Sequence, residues 1–247
     1  MREVRVHLDL PLASGRRIAL PPQAAQHVTR VLRLRSGAAL TVFDGRGGEY
    51  AATLELAGRG AATVEIGEHR AIERESPLRI SLLQGLARGE RMDWVVQKAT
   101  ELGVQRIVPV ATARSVVQLD AERGSKRTDH WLAVAAAACE QCGRNTLPEI
   151  AAPLALEAAL REAAATGLRL ALHPDSGESL RNVLEDDRAR PEVALLIGPE
   201  GGLDEAEIAL TMQAGFRVVH LGPRVLRTET AGIAALAALQ CLAGDLT

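Results

Sequence analysis

Aromatic side chains are almost missing from this 247-residue sequence: two Phe, two Trp and one Tyr make up 2% of it. A chain so poor in rings cannot hold single-stranded nucleic acid mainly by stacking bases. Lysine is just as scarce. Two residues, Lys98 and Lys126, stand against 27 Arg, so positive charge rests on guanidinium forks that suit carboxylate and phosphate. Three cysteines, an odd number, exclude a disulfide scaffold and point to a reducing compartment. No apolar run approaches the ~18 residues that cross a bilayer; the longest, 132–139, is short and alanine-rich. The amino-terminal stretch Met1-Arg2-Glu3-Val4-Arg5 is charged from the start and has no signal-peptide core. A cytoplasmic protein with no membrane partner is the expectation. Cys139 and Cys142 have C-x-x-C spacing but no second pair completes a zinc site, so no metal is expected.

What is present is core-forming material, 47% hydrophobic with 42 Ala, too much for disorder. A net charge of -2 hides a division. Residues 1–72 carry 10 Arg against 7 acids (net +3), whereas 73–247 carry 19 cations against 24 acids (net -5). The polar stretch 72–77, closed by Pro77, marks a boundary between two domains, 1–72 and 73–247. Before it, short alternating runs at 4–8, 39–43, 49–56 and 62–66 read as strands, with one helical stretch at 23–32. That pattern favours a small β-barrel.

After the boundary strands and helices alternate. Runs at 78–83, 107–110, 168–172, 193–197 and 218–221 read as buried strands, with helices at 92–102, 129–141, 205–214 and 229–242. The alternation implies an α/β domain built on a largely parallel sheet. Ligands in such sheets sit beyond the carboxyl ends of strands. Three loops there have suitable chemistry: His173-Pro174-Asp175-Ser176-Gly177, Gly198-Pro199-Glu200-Gly201-Gly202, and the segment from Leu221 to Thr230. Asp204 and Glu207 have capping-box spacing, so a helix begins just past the second loop; Thr228 is placed to cap the last helix. Neither G-x-G-x-x-G after an early strand nor G-x-x-x-x-G-K-[ST] is present. Spacing alone says that a small ligand is held largely by backbone.

Five ordered blocks add to that reading. They are His27-Val28-Thr29-Arg30-Val31-Leu32-Arg33, Gln97-Lys98-Ala99-Thr100-Glu101-Leu102-Gly103-Val104, Glu140-Gln141-Cys142-Gly143-Arg144, Ile197-Gly198-Pro199-Glu200-Gly201-Gly202-Leu203 and Leu221-Gly222-Pro223-Arg224-Val225-Leu226-Arg227-Thr228-Glu229-Thr230. Over nearly its whole length the chain resembles the RsmE family, bacterial 16S ribosomal RNA uridine-N3 methyltransferases of the SPOUT superfamily. The resemblance implies a PUA-like RNA-binding β-barrel over 1–72. It also implies an α/β SPOUT methyltransferase domain over 73–247, with a parallel sheet and a C-terminal trefoil knot. It implies S-adenosylmethionine as methyl donor, 16S rRNA as substrate near the decoding region of the small subunit, and a homodimer. The donor is expected against Leu172, His173 and Pro174; Ile197, Gly198, Glu200, Gly201 and Gly202; and Leu221, Gly222, Leu226 and Thr228.

Methylating a uridine ring nitrogen requires the N3 proton to leave and charge to spread onto the neighbouring carbonyls. A guanidinium fork from Arg227 or Arg144 can stabilise that charge but cannot be the base. Glu229 is the nearest motif carboxylate, either as base or as an orienter of Arg227; a first-turn acid facing the helix dipole is the plain alternative. Glu200 either meets the donor sulfonium or braces its loop. Arg30, Arg33, Arg35, Lys98 and Arg144 are candidates for phosphate contacts. Trp94 and Trp131 suit core or dimer packing. A non-catalytic RNA-binding factor and a ribose methyltransferase remain open at this point.

Overall fold

In the computed structural model, residues 4–57, 61–115, 121–186 and 192–246 are described. Burial with a period of two organises the early strands, as the alternation requires. They are β1 (Arg5–His7), β2 (Arg17–Ala19), β3 (Ala39–Phe43), β4 (Glu49–Ala57) and β5 (Ala61–Arg70). On β5, Ala62, Val64 and Ile66 point inward, joining Val6, Leu8, Val42 and Leu54 in one core. The sheet order is β1-β3-β4-β5-β2, parallel only between β1 and β3. No β1–β2 pairing closes it among the described residues. β5 extends beyond the expected 62–66, and β2 was not anticipated because three residues carry no readable period.

The expected 23–32 helix is real but irregular. It is helical over Pro22–Gln26 (α1) and then widens over His27–Val31 into a turn with one extra residue. Arg33 follows at φ 52°, the one non-glycine residue with positive φ among the described residues. That conformation costs roughly 1–2 kcal/mol.

The second sheet contains β6 (Arg79–Gly85), β7 (Arg106–Ala111), β8 (Glu149–Ile150), β9 (Leu154–Ala155), β10 (Leu168–Leu172), β11 (Glu192–Ile197) and β12 (Arg217–Val219). Its order is β12-β10-β11-β6-β7-β8, with β9 also on β7, and every pairing is parallel. Helices α2 (Glu90–Glu101), α3 (Ala121–Cys142), α4 (Leu156–Glu162), α5 (Leu180–Asp186), α6 (Glu205–Gln213) and α7 (Thr228–Ala243) alternate with these strands. Successive strand residues feed opposite cores. Leu82, Leu170 and Leu195 meet α2, α3, α5 and α7 on one face. Leu83, Ala171 and Leu196 meet α4 and α6 on the other. This is the doubly covered parallel sheet that continuous apolar strands demand.

The chain forms two compact units, one reaching to Glu75 and also containing Ala136–Leu147, the other made of the rest. A linear boundary at 72/73 assigns 136–147 to the second domain, whereas those residues group with the first.

The capping box at α6 is present: the Glu207 N–H donates to Asp204 Oδ1 at 2.8 Å and the Asp204 N–H to Glu207 Oε2 at 3.0 Å. The cap expected of Thr228 is not, because α7 begins at Thr228 itself and its hydroxyl is engaged elsewhere. Near the other end of α7, buried Gln240 accepts from Ser76 Oγ at 2.7 Å and donates to the Leu102 carbonyl at 2.8 Å, satisfying the end of α2. Replacing Gln240 by Leu removes the acceptor of the Ser76 hydroxyl proton and the side-chain donor to the Leu102 carbonyl, and is expected to destabilise the protein by about 1–3 kcal/mol in urea unfolding. An unchanged midpoint would show the two bonds to be dispensable.

Candidate functional site

The parallel register places the site. Leu172 of β10 lies opposite Ile197 of β11 and Val219 of β12, and Ile197 lies opposite Gln84 of β6. The loops leaving β10, β11 and β12 therefore start at one level, and a cleft of about 610 Å³ opens between them. The volume falls within the range of small-molecule sites. Eleven of the twelve expected ligand-holding residues line it: Leu172, His173, Pro174, Ile197, Gly198, Glu200, Gly201, Gly202, Leu221, Leu226 and Thr228. Gly222 does not. Arg227 and Glu229 line it as well.

Close backbone approach shapes the floor. A Cβ on Gly85 would sit 2.4 Å from the Pro199 nitrogen, and one on Gly201 would sit 2.9 Å from Arg114 Cβ. The Arg114 guanidinium donates to the Gly201 carbonyl at 3.0 Å. Thr228 Oγ1 donates to the Gly198 carbonyl at 2.6 Å and accepts from Gln84 Nε2 at 2.9 Å, so the last helix, the glycine loop and β6 meet at one hydroxyl. Ser176 Oγ donates to the Val218 carbonyl at 2.6 Å, tying the His173 loop to β12.

Glu200 braces its loop. Its Oε1 accepts from the Arg88 N–H at 2.9 Å and from Arg91 Nη1 at 2.7 Å. Burial by itself would raise its pKa, but the Arg88 and Glu200 backbone N–H groups and the Arg91 guanidinium outweigh that and hold the carboxyl below its usual range. Arg91 Nε also lies 3.7 Å from Glu229 Oε1, while buried Glu229 Oε2 has no hydrogen-bond partner among the described residues.

The remaining candidates lie elsewhere. Arg144 belongs to the first unit, is 3% exposed, and places its Nε 3.0 Å from Glu75 Oε1 with a second bond to Oε2. Glu75 outweighs the burial that would lower its pKa and holds Arg144 above the usual guanidinium value. Lys98 contacts both Glu101 oxygens, at 2.8 and 3.0 Å. Arg30, Arg33 and Arg35 are exposed on the first unit. The Cys139 thiol, in the last turn of α3, is pushed up by its neighbour Cys142 and by burial, which fits an inert thiol. Trp131 is 2% exposed core, while Trp94 is 47% exposed. Among the described residues no three His, Cys, Asp or Glu gather as a metal site, and no helix is long and apolar enough to cross a membrane.

Sequence reasoning missed Arg91, Arg114 and His220 and gave Arg224, within the third chosen loop, no role; all four line the cleft. The signal was available. Arg91 and Arg114 follow β6 and β7 as the chosen loops follow β10 and β11, so the strand-end rule applied to every strand would have found them.

Known proteins share this arrangement. The model of an RNA methyltransferase domain matches residues 74–240, and that of an RNA methyltransferase PUA domain matches 20–67. Ribosomal RNA small subunit methyltransferase E of Buchnera aphidicola (from Schizaphis graminum) is 32% identical over 98% of each chain. The Bacillus subtilis protein of that name is 30% identical over 90% of this chain and 91% of its own. The chain belongs to the RsmE family. The Neisseria gonorrhoeae RsmE structure, bound to S-adenosylmethionine, superposes with a TM-score of 0.90 at 36% identity over the full length of both chains. A Legionella pneumophila structure, also holding S-adenosylmethionine, gives 0.94 at 43% identity over the same coverage. This RsmE-family chain thus carries an N-terminal PUA-like β domain, matched over 20–67, followed by a SPOUT-type α/β methyltransferase domain, matched over 74–240. The cleft suits such a ligand: glycines open its floor to close approach, Leu172, Ile197, Leu221 and Leu226 give it apolar walls, and Glu229 Oε2 has no donor among the described residues.

The brace on Glu200 has a pH signature. A carboxyl whose pKa is depressed stays ionised until the pH falls below the ordinary value of about 4.3. The Arg88 amide resonance should therefore titrate below that value, and its midpoint should move upward in Arg91→Met. Identical midpoints in an NMR titration of the two proteins would remove Arg91 from the brace.

Proposed function

We propose that the protein transfers a methyl group from S-adenosylmethionine to N3 of a uridine in the decoding region of 16S rRNA. The observation that carries this reading is the convergence of three strand-end loops, with Arg227 and Glu229, on one cleft. The donor would be held by the backbone of the Gly198–Gly202 and Leu221–Leu226 segments and by the apolar walls. When bound it supplies an electrophilic methyl group. Thr228 keeps the Gly198 carbonyl in place, and Glu200 fixes the glycine loop to α2.

Loss of the N3 proton leaves negative charge on the uracil carbonyl oxygens. Arg227 is exposed, and its guanidinium has no partner among the described residues, so it is free to face that charge. Glu229 is the carboxylate available for the proton, one oxygen near Arg91 and the other unengaged. Arg30, Arg33 and Arg35 are the first unit's candidates for backbone phosphates. Arg144 and Lys98 are already ion-paired and are weaker candidates. The same family reading carries the C-terminal trefoil knot.

With tritiated S-adenosylmethionine, label should enter 16S rRNA and appear as N3-methyluridine after nucleoside digestion. Arg227→Ala should lower kcat by about 10²-fold with an unchanged unfolding midpoint. A protein that binds the donor yet labels neither naked 16S rRNA nor small subunits lacking the modification would overturn the reading. Label on ribose would replace it with a hydroxyl methyltransferase.

A homodimer belongs to the same proposal. Half-exposed Trp94 on α2 and 42% exposed Leu242 on α7, two helices packed together, leave apolar surface that one chain does not cover. Sedimentation should give a dimer at micromolar concentration, and Trp94→Glu should shift it toward monomer. A monomeric parent protein would exclude the pairing.

A further inference from the structure

The charges lining the cleft do not balance once their internal pairs are removed. Arg91, Arg114, Arg224 and Arg227 line it together with Asp175, Glu200 and Glu229. Arg91 is engaged with Glu200 at 2.7 Å and lies 3.7 Å from Glu229. With Arg91 paired to Glu200, Arg114, Arg224 and Arg227 remain against Asp175 and Glu229, an excess of one positive charge. The donor does not supply the missing anion. S-adenosylmethionine carries one carboxylate beside an ammonium and a sulfonium, so it brings net positive charge and one anionic group. The donor's own net positive charge adds to that excess, and a second, anionic ligand sharing the cleft would offset both.

Two of the three guanidiniums are also unengaged among the described residues. Pro223, Arg224 and Val225 form an exposed run, Val225 reaching 80% exposure, although the helix that follows at once is largely packed. Arg224 and Arg227 have no hydrogen-bond or ion-pair partner among the described residues, so neither guanidinium serves the fold. Arg114 is different: its bond to the Gly201 carbonyl orients the guanidinium at the edge of the donor loop.

We propose that Arg224 and Arg114 form a phosphate site at the mouth of the cleft, one that takes the RNA backbone beside the target base. The site rests on the rRNA methyltransferase reading and adds to it where the backbone is held. Arg227 faces the base while Arg224 and Arg114 neutralise flanking phosphates, which bind bidentately to guanidinium. RNA in the mouth offsets the positive excess, so RNA and donor bind with positive coupling.

The test measures 16S rRNA affinity against salt, together with donor affinity by calorimetry, for the full-length protein, Arg224→Ala and Arg224→Lys. Arg224 is exposed and makes no side-chain hydrogen bond or ion pair among the described residues, so both variants should unfold at the parent midpoint. Arg224→Ala should weaken RNA binding about five- to tenfold near 0.1 M salt and reduce the slope of log affinity against log salt by about 0.7. Donor affinity without RNA should stay level or rise, and Arg224→Lys should recover most of the RNA affinity. Unchanged RNA affinity and slope in Arg224→Ala, with weaker donor binding, would assign Arg224 to the donor carboxylate and overturn the proposal. The unaltered protein separates the two claims: absence of methyl transfer by it counts against the function, whereas intact transfer with an unmoved salt slope counts against the phosphate site alone.

Discussion

Everything at the cleft depends on the parallel register that sets Leu172, Ile197 and Val219 in one row. The central strands are buried on both faces, between Leu82, Leu170 and Leu195 on one side and Leu83, Ala171 and Leu196 on the other. A slip of one residue would exchange those two sets and misplace every side chain, so the register is held by packing and not by hydrogen bonds alone. Because the row is level, three loops distant in sequence begin at the same height. Thr228 then joins the first turn of α7 to the Gly198 carbonyl and to Gln84. One hydroxyl thereby converts a sheet edge into a closed floor.

The first unit shows why a motif block need not be a catalytic block. In Glu140-Gln141-Cys142-Gly143-Arg144, Glu140 accepts the His7 N–H at 2.8 Å, the Gly143 carbonyl accepts from Arg74 at 2.9 Å, and Arg144 pairs with Glu75. Arg5 reaches Glu49 and Asn145, and Asn145 donates to the Ile72 carbonyl at 2.6 Å. Burial would raise the Glu49 carboxyl, but Arg5, Asn145 and Arg74 hold it below its usual range. Such a network adds little net stability over apolar packing, yet removal of one partner strands a buried charge. These residues attach 136–147 to the sheet of β1 and β3, an architectural task.

The scarcity of lysine and of aromatic rings fits the division of charge in the cleft. Arg91 is consumed in holding two carboxylates, which needs a fork with several donors on one plane. The other cleft arginines are not consumed. A protein with five rings must obtain RNA affinity from phosphate contacts, and a guanidinium carries such a contact without a stacking platform.

Much of this was legible in the order of residues. β3 and β10 match their expected bounds, the α6 capping box is where Asp204 and Glu207 place it, and the strand-end rule found three of the loops around the cleft. Short elements escaped: β2, β8, β9, α4 and α5 span two to seven residues, too few to establish a period. Thr228 was misread because its capping competence is local, whereas its partners, Gly198 and Gln84, lie 30 and 144 residues away. The partners of Arg144 and Arg91 were illegible for the same reason, since one is buried against Glu75 and the other set between Glu200 and Glu229. By itself the sequence determined which stretches become strands and helices and which loops carry glycine, acid and arginine, because propensity, periodicity and capping act within a few residues. Only the tertiary structure decided which of those charges cancel and which stay free, because pairing depends on distances that chain order does not contain.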